Sequence, residues 1–166
     1  MQLRSLLAAP FAALALCACG FQLRVAPELA FQSIYVGASI NSSLGNELKR
    51  NLASLGNLQV ISDPMLQPTA QAVLDILQDQ REKTVVGVNA SGQVREFQLR
   101  VRLRFRLRTP QGRELIPETE LLLQRDISFN ESAVLAKEAE EGLMYRDMQS
   151  DLVQQLIRRL AAVRVL

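Results

Sequence analysis

The clearest pattern in the chain runs from Phe97 to Arg108. There Phe97, Leu99, Val101, Leu103, Phe105 and Leu107 alternate without a break with Gln98, Arg100, Arg102, Arg104, Arg106 and Arg108. A period of two residues is that of a half-buried β-strand. One face of this segment is therefore apolar and the other is a row of arginines, neighbours standing about 6.6 Å apart. Pro110-Gln111-Gly112 follows and predicts a three-residue hairpin loop with Gly112 in the left-handed conformation. That loop sets Thr109 opposite Arg113. Counting outward, it sets Leu107 opposite Leu115, Val101 opposite Leu121, Leu99 opposite Leu123, Arg104 opposite Glu118 and Arg102 opposite Glu120. A two-residue loop would mix the faces, placing Arg100 opposite Leu121, so the pattern selects the first register. Pro117 has no amide donor, and the strand is expected to be irregular there or to turn that nitrogen away from its neighbour.

The remaining elements follow from weaker signals. Ser33-Ile34-Tyr35-Val36 is a short β-prone run, and Asn41-Ser42-Ser43 can cap a helix through a side-chain oxygen. Leu44, Leu48, Leu52 and Leu55 lie on one helical face, with Gly56 suited to the position just past the helix end. Ala72 to Val88 reads as a long strand with a polar middle, closed by the turn residues Asn89-Ala90-Ser91-Gly92. Asn130 can cap a final helix, and Phe129 and Val134 have the spacing of a hydrophobic staple. The stripe Tyr145, Met148, Leu152, Leu156, Leu160 and Val163 carries this helix to near the C-terminus, with a bend or break allowed at Gly142. The expected order is β-α-β-β-β-α. This is an α+β two-layer domain, a mixed sheet of about four strands with two helices packed on one face. The first two strands are parallel, the later neighbours antiparallel, and the arginine face is left uncovered.

Composition narrows the function. With 166 residues, 48% hydrophobic and 22% charged, the chain fits a single domain, and its net charge of only +2 does not mark a general cation. The sequence contains no His, which removes Ser-His-Asp and Cys-His nucleophiles, His-ligated metals and imidazole bases. Glu138, Glu140 and Glu141 read as a solvated helix face, and neither they nor Asp75 and Asp79 accompany a nucleophile, a phosphate loop or metal-ligand spacing. The expectation is a protein that is not an enzyme and has no cofactor and no metal site.

The N-terminus gives an address. Residues 1–18 hold Arg4 and then an apolar run from Leu6 to Leu16, the pattern of a secretory signal, too short for a comfortable membrane span. Leu16-Cys17-Ala18-Cys19-Gly20 resembles the bacterial lipobox with Cys19 as acceptor, since Ala18 supplies the small residue before the cut and Leu16 before Cys17 does not. The resemblance implies a cleaved signal peptide at 1–18, an acylated tether at 19–30 and a single domain at 31–166. Gly20, which is not the Asp that retains lipoproteins at the inner membrane, implies the periplasmic side of the outer membrane. Several acyl chains make such anchoring stable.

The arginine row is the one unusual constellation of the mature chain. Arg100, Arg102, Arg104, Arg106 and Arg108 offer rigid bidentate donors for phosphates. The alternative is that Arg102 and Arg104 pair with Glu120 and Glu118 and the rest is a solvated strand face. Nucleic acid is not the expected ligand, by compartment and because no aromatic residue interleaves the row.

Several blocks then carry a family resemblance. Cys19-Gly20-Phe21-Gln22-Leu23-Arg24 resembles the CGFxLR opening of the LptE lipopolysaccharide-assembly lipoproteins. The similarity continues through Arg125-Asp126-Ile127-Ser128-Phe129-Asn130-Glu131, through Ala136 to Glu141, and from Tyr145 to Leu160. The resemblance implies a non-enzymatic protein that plugs and helps assemble the outer-membrane β-barrel LptD and binds lipopolysaccharide on its way to the outer leaflet. It transfers no specific ligand residue, because the central strands match in pattern and not in motif. The alternative within the same class is an accessory or pilot lipoprotein of another barrel, a secretin or a lipid transporter.

Overall fold

The computed structural model describes residues 28–164. The expected signal peptide at 1–18, Cys19 and most of the expected tether at 19–30 lie outside the described residues. The elements are β1 (Ser33–Gly37), α1 (Ser43–Ala53), β2 (Gln59–Ile61), β3 (Ala72–Val88), β4 (Val94–Arg108), β5 (Glu114–Ser128) and α2 (Val134–Ala161), with 3-10 segments at Pro64–Thr69 and Glu131–Ala133. They form a five-stranded sheet in the order β2-β1-β3-β4-β5. β1 is parallel to both neighbours, while β3, β4 and β5 form an antiparallel meander.

The two-layer mixed architecture is the expected one, with one more strand than the pattern indicated. β2 has three residues, too few to display a period, and exists because it pairs with β1. Local chemistry sets the element ends. Ser42 caps α1, its hydroxyl accepting from Gly45 N at 2.8 Å. Asn130 likewise accepts from Ser132 N at 3.0 Å and starts the 3-10 turn that leads into α2. Gly112 takes φ +97°, the Gly112 amide donates to Thr109 O, and Thr109 N donates to Arg113 O, which is the predicted three-residue hairpin. α2 runs through Gly142 without a break.

The core forms where the three apolar faces meet. Leu99, Leu103, Phe105 and Leu107 of β4 are fully buried beneath Leu44, Leu48 and Leu52 of α1 and Met148, Leu152, Leu156 and Leu160 of α2. Each such aliphatic side chain contributes about 1.5–3 kcal/mol of burial. The opposite face is not wholly uncovered, as the pattern alone suggested. Tyr35, Ile61, Ala70 and Val73 form a small second cluster there, beside the Pro64–Thr69 segment.

The β4–β5 register departs from expectation by two residues. Val101 faces Leu123 in place of Leu121, Leu99 faces Arg125 in place of Leu123, and Leu107 faces Ile116 in place of Leu115. Arg104 faces Glu120 in place of Glu118, and Arg102 faces Leu122 in place of Glu120. Two successive register shifts between Phe105 and Arg108 absorb the extra β5 residues, one at Pro117, which has no amide to donate to the ladder, and one at Leu115. From Thr119 onward the net slip of two keeps side chains on their original faces, so the division into core and arginine faces survives there, while Ile116, opposite Leu107, packs against the core.

Candidate functional site

The arginines of β4 project from alternate positions onto the face opposite the two helices, as the pleat requires. Their surroundings come from both flanking strands. Asp75, Gln78, Gln80 and Glu82 of β3 lie across from Arg106, Arg104, Arg102 and Arg100. Glu114, Glu120, Leu122 and Gln124 of β5 lie across from Arg108, Arg104, Arg102 and Arg100.

This geometry compensates most of the row's charge. Arg102 donates to Glu120 at 2.7 Å and lies 3.8 Å from Glu82, and Arg104 pairs with Glu118. These are the two β5 partners expected from the sequence, reached diagonally after the register slip and not straight across the ladder. Arg106 Nε and Arg108 Nε both donate to Asp75 Oδ2, each at 2.8 Å. Burial pushes the Asp75 carboxyl up, but its hydrogen bonds and charge attraction with Arg108 and Arg106 outweigh this and hold it below its ordinary value of 3.8. Hydrogen bonding to Glu120 and to Asp75 keeps the Arg102 and Arg106 guanidiniums more firmly protonated than usual.

Arg100 stands apart. Its Nε donates to Gln98 Oε1 at 2.8 Å, and among the described residues it makes no ion pair with a carboxylate. Arg104 and Arg106 are the more accessible of the paired members, each side chain 41% exposed against 20% for Arg108. The structure therefore brings all five arginines onto one open face and gives four of them a carboxylate. Sequence reasoning missed Asp75 as the joint partner of Arg106 and Arg108. The available signal was a single acid directly after the buried run Ala72-Val73-Leu74.

Among the described residues no group of three or more His, Cys, Asp or Glu could hold a metal ion, and no helix is long and apolar enough to cross a membrane. What the face can do chemically is bind anions through guanidinium forks, by exchange with its own carboxylates.

Comparison with known proteins places this architecture. The family model LptE, lipopolysaccharide-assembly, matches residues 31–160. The LPS-assembly lipoprotein LptE of Yersinia enterocolitica is 28% identical over 149 residues, covering 87% of this chain and 69% of that protein. The protein of the same description from Pectobacterium atrosepticum is 24% identical over 147 residues, covering 87% of this chain and 78% of its own length. Lipoprotein B of Nitrosomonas europaea, solved in solution by NMR, superposes with a TM-score of 0.73 at 35% identity, covering 86% of this chain and 91% of that one. The family match spans both layers of the domain, from two residues before β1 to the last turn of α2, and the chain belongs to the LptE family of lipopolysaccharide-assembly proteins.

Proposed function

We propose that this protein is a non-catalytic outer-membrane lipoprotein that partners the β-barrel LptD, as plug and assembly factor, and binds lipopolysaccharide for insertion into the outer leaflet. Acylated Cys19 holds it on the periplasmic side. The observation that carries the reading is the family match over residues 31–160, joined to the names of the Yersinia and Pectobacterium relatives. The open sheet face supports it further. A plug in a water-filled barrel needs a polar outer surface, and this face is densely charged yet largely self-compensated.

On this reading the phosphates of lipopolysaccharide engage Arg100, Arg102, Arg104, Arg106 and Arg108. Exposed ion pairs contribute about 0–1 kcal/mol, whereas a hydrogen bond to a charged group contributes about 1.5–3 kcal/mol in a well-formed site. A phosphate can therefore displace Glu118 or Glu120 at small cost, and Arg100 needs no displacement.

Affinity purification of the acylated protein from detergent-solubilised outer membranes, with co-eluting proteins identified by mass spectrometry, tests the partnership. Stoichiometric LptD is expected, and elution alone or with a different membrane complex overturns it. For the ligand, replacing Arg100, Arg104 and Arg106 by Glu should abolish lipopolysaccharide binding, with the corresponding Gln variant checking that the fold is retained. Unchanged binding rejects the arginine row as the lipid site.

A further inference from the structure

A second group of guanidiniums lies on the other layer of the molecule, where α1, β3 and α2 converge. Arg50 of α1, Arg81 of β3 and Arg146 of α2 line one open cleft of about 580 Å³, together with Ser43, Asn46, Glu47, Gln149 and Ser150. Small-molecule sites fall in the same range, about 300–1,000 Å³. The residues come from three separate elements and share no sequence motif.

Charge in this cleft is arranged oppositely to that on the sheet face. None of Arg50, Arg81 and Arg146 makes an ion pair among the described residues, although Glu47 lines the same cleft. Both Glu47 oxygens are taken by neutral donors, Oε2 by Gln149 Nε2 and Oε1 by Ser150 Oγ at 2.6 Å. Three positive charges thus face one negative charge that is already engaged.

Arg81 is held in place. Its NH2 group donates to Gln149 Oε1 at 2.6 Å and to Ser43 Oγ at 3.1 Å, and its guanidinium sits 5.5 Å from the centre of the Tyr145 ring. Tyr145 is itself fixed, its hydroxyl donating to the Glu82 carbonyl at 2.7 Å, and Gln149 is buried. A guanidinium has five N–H donors, and these contacts use only the NH2 group, leaving Nε and NH1 for another acceptor. Arg146 spends Nε on its own helix, at Gly142 O, and keeps both terminal nitrogens.

We propose that this cleft is a binding site for a phosphate dianion, carried as a monoester or free. The excess of two positive charges matches a dianion, and donors arriving from three elements match three terminal oxygens better than the two of a carboxylate. Arg81 is the preorganised contact, and Arg50 and Arg146 close on the ligand from the two helices. The inference stands on the cleft's own charge and hydrogen bonding and does not depend on the partner or lipid assigned above.

The test is calorimetric titration of the full-length lipoprotein in non-ionic detergent at low, matched ionic strength, with inorganic phosphate and with glucosamine 1-phosphate as probes. Arg50→Gln and Arg146→Gln make suitable variants, because neither side chain bridges two elements. Each should weaken binding by about tenfold, while Arg113→Gln, exposed near the β4–β5 hairpin and outside both arginine groups, leaves it unchanged and thermal unfolding confirms that all variants fold. Tighter binding of the sugar phosphate identifies a headgroup as the source, and equal affinity identifies free phosphate. The proposal is overturned by the absence of saturable binding of either probe, or by binding that responds to Arg113→Gln and not to the cleft variants.

Discussion

Asp75 holds two guanidiniums with one carboxylate, and its titration gives the acid limb of stability a specific origin. Its folded pKa lies below 3.8, so its contribution is fully present above that value and is lost as pH falls through the lower, folded value. Asp75→Asn should therefore cost on the order of 1 kcal/mol near neutral pH. The difference from the parent protein should vanish in acid, as denaturant unfolding across a pH series would measure. Gly142 makes the opposite case. It sits within the unbroken α2 and a methyl group added there meets nothing within 4 Å. Gly142→Ala should raise stability by about 0.5–1 kcal/mol, by removing backbone freedom from the unfolded chain, and thermal or denaturant unfolding reads this directly. Neither effect could be placed from the sequence. Asp75 becomes a partner only when β3 pairs with β4, and the space around Gly142 depends on what α2 packs against.

At the scale of elements, the alternation in β4 and the leucine spacing in α1 were legible because period alone determines which face a residue occupies. The β4–β5 register was legible near the loop, where Arg108 meets Glu114, and lost beyond it. Pro117 announced an irregularity, but how many residues it would take up depends on how two strands settle against each other. α2 supplies most of the helical side of the core, and its residues should respond accordingly. Leu152 is fully buried and Leu143 is 56% exposed on the same helix. Leu152→Ala should cost about 2–5 kcal/mol through lost burial and the cavity left behind, while Leu143→Ala should stay within about 0.5 kcal/mol. Equilibrium unfolding of the two variants side by side checks the assignment of the buried stripe.

For the whole molecule, the helices cover one side of the sheet, and the other is left to charge outside the small apolar cluster of Tyr35, Ile61, Ala70 and Val73. The two arginine groups consequently differ in kind. The one on β4 is a continuous row balanced by carboxylates of its own sheet, and the one between the layers is an assembly of three elements with positive charge in excess. The proposed attachment to the membrane rests on Cys19, outside the described residues. Cys19→Ser should move the protein from the membrane fraction to the soluble periplasmic fraction while leaving the unfolding transition of the domain unchanged, which fractionation and circular dichroism would register. Retention of the variant in the membrane without LptD would contradict lipid anchoring at Cys19.

The sequence by itself determined the alternating strand, its arginine face, the Gly112 hairpin, the helical stripes and the order of the main elements. Each is written in neighbouring residues, through side-chain period or through the backbone angles that a turn demands. The tertiary structure alone decided that Gln59–Ile61 becomes a strand, that Asp75 serves both Arg106 and Arg108, and that Arg50, Arg81 and Arg146 share a cleft. Those outcomes join residues far apart in the chain, and they follow from which surfaces must be buried together, a condition that no local pattern carries.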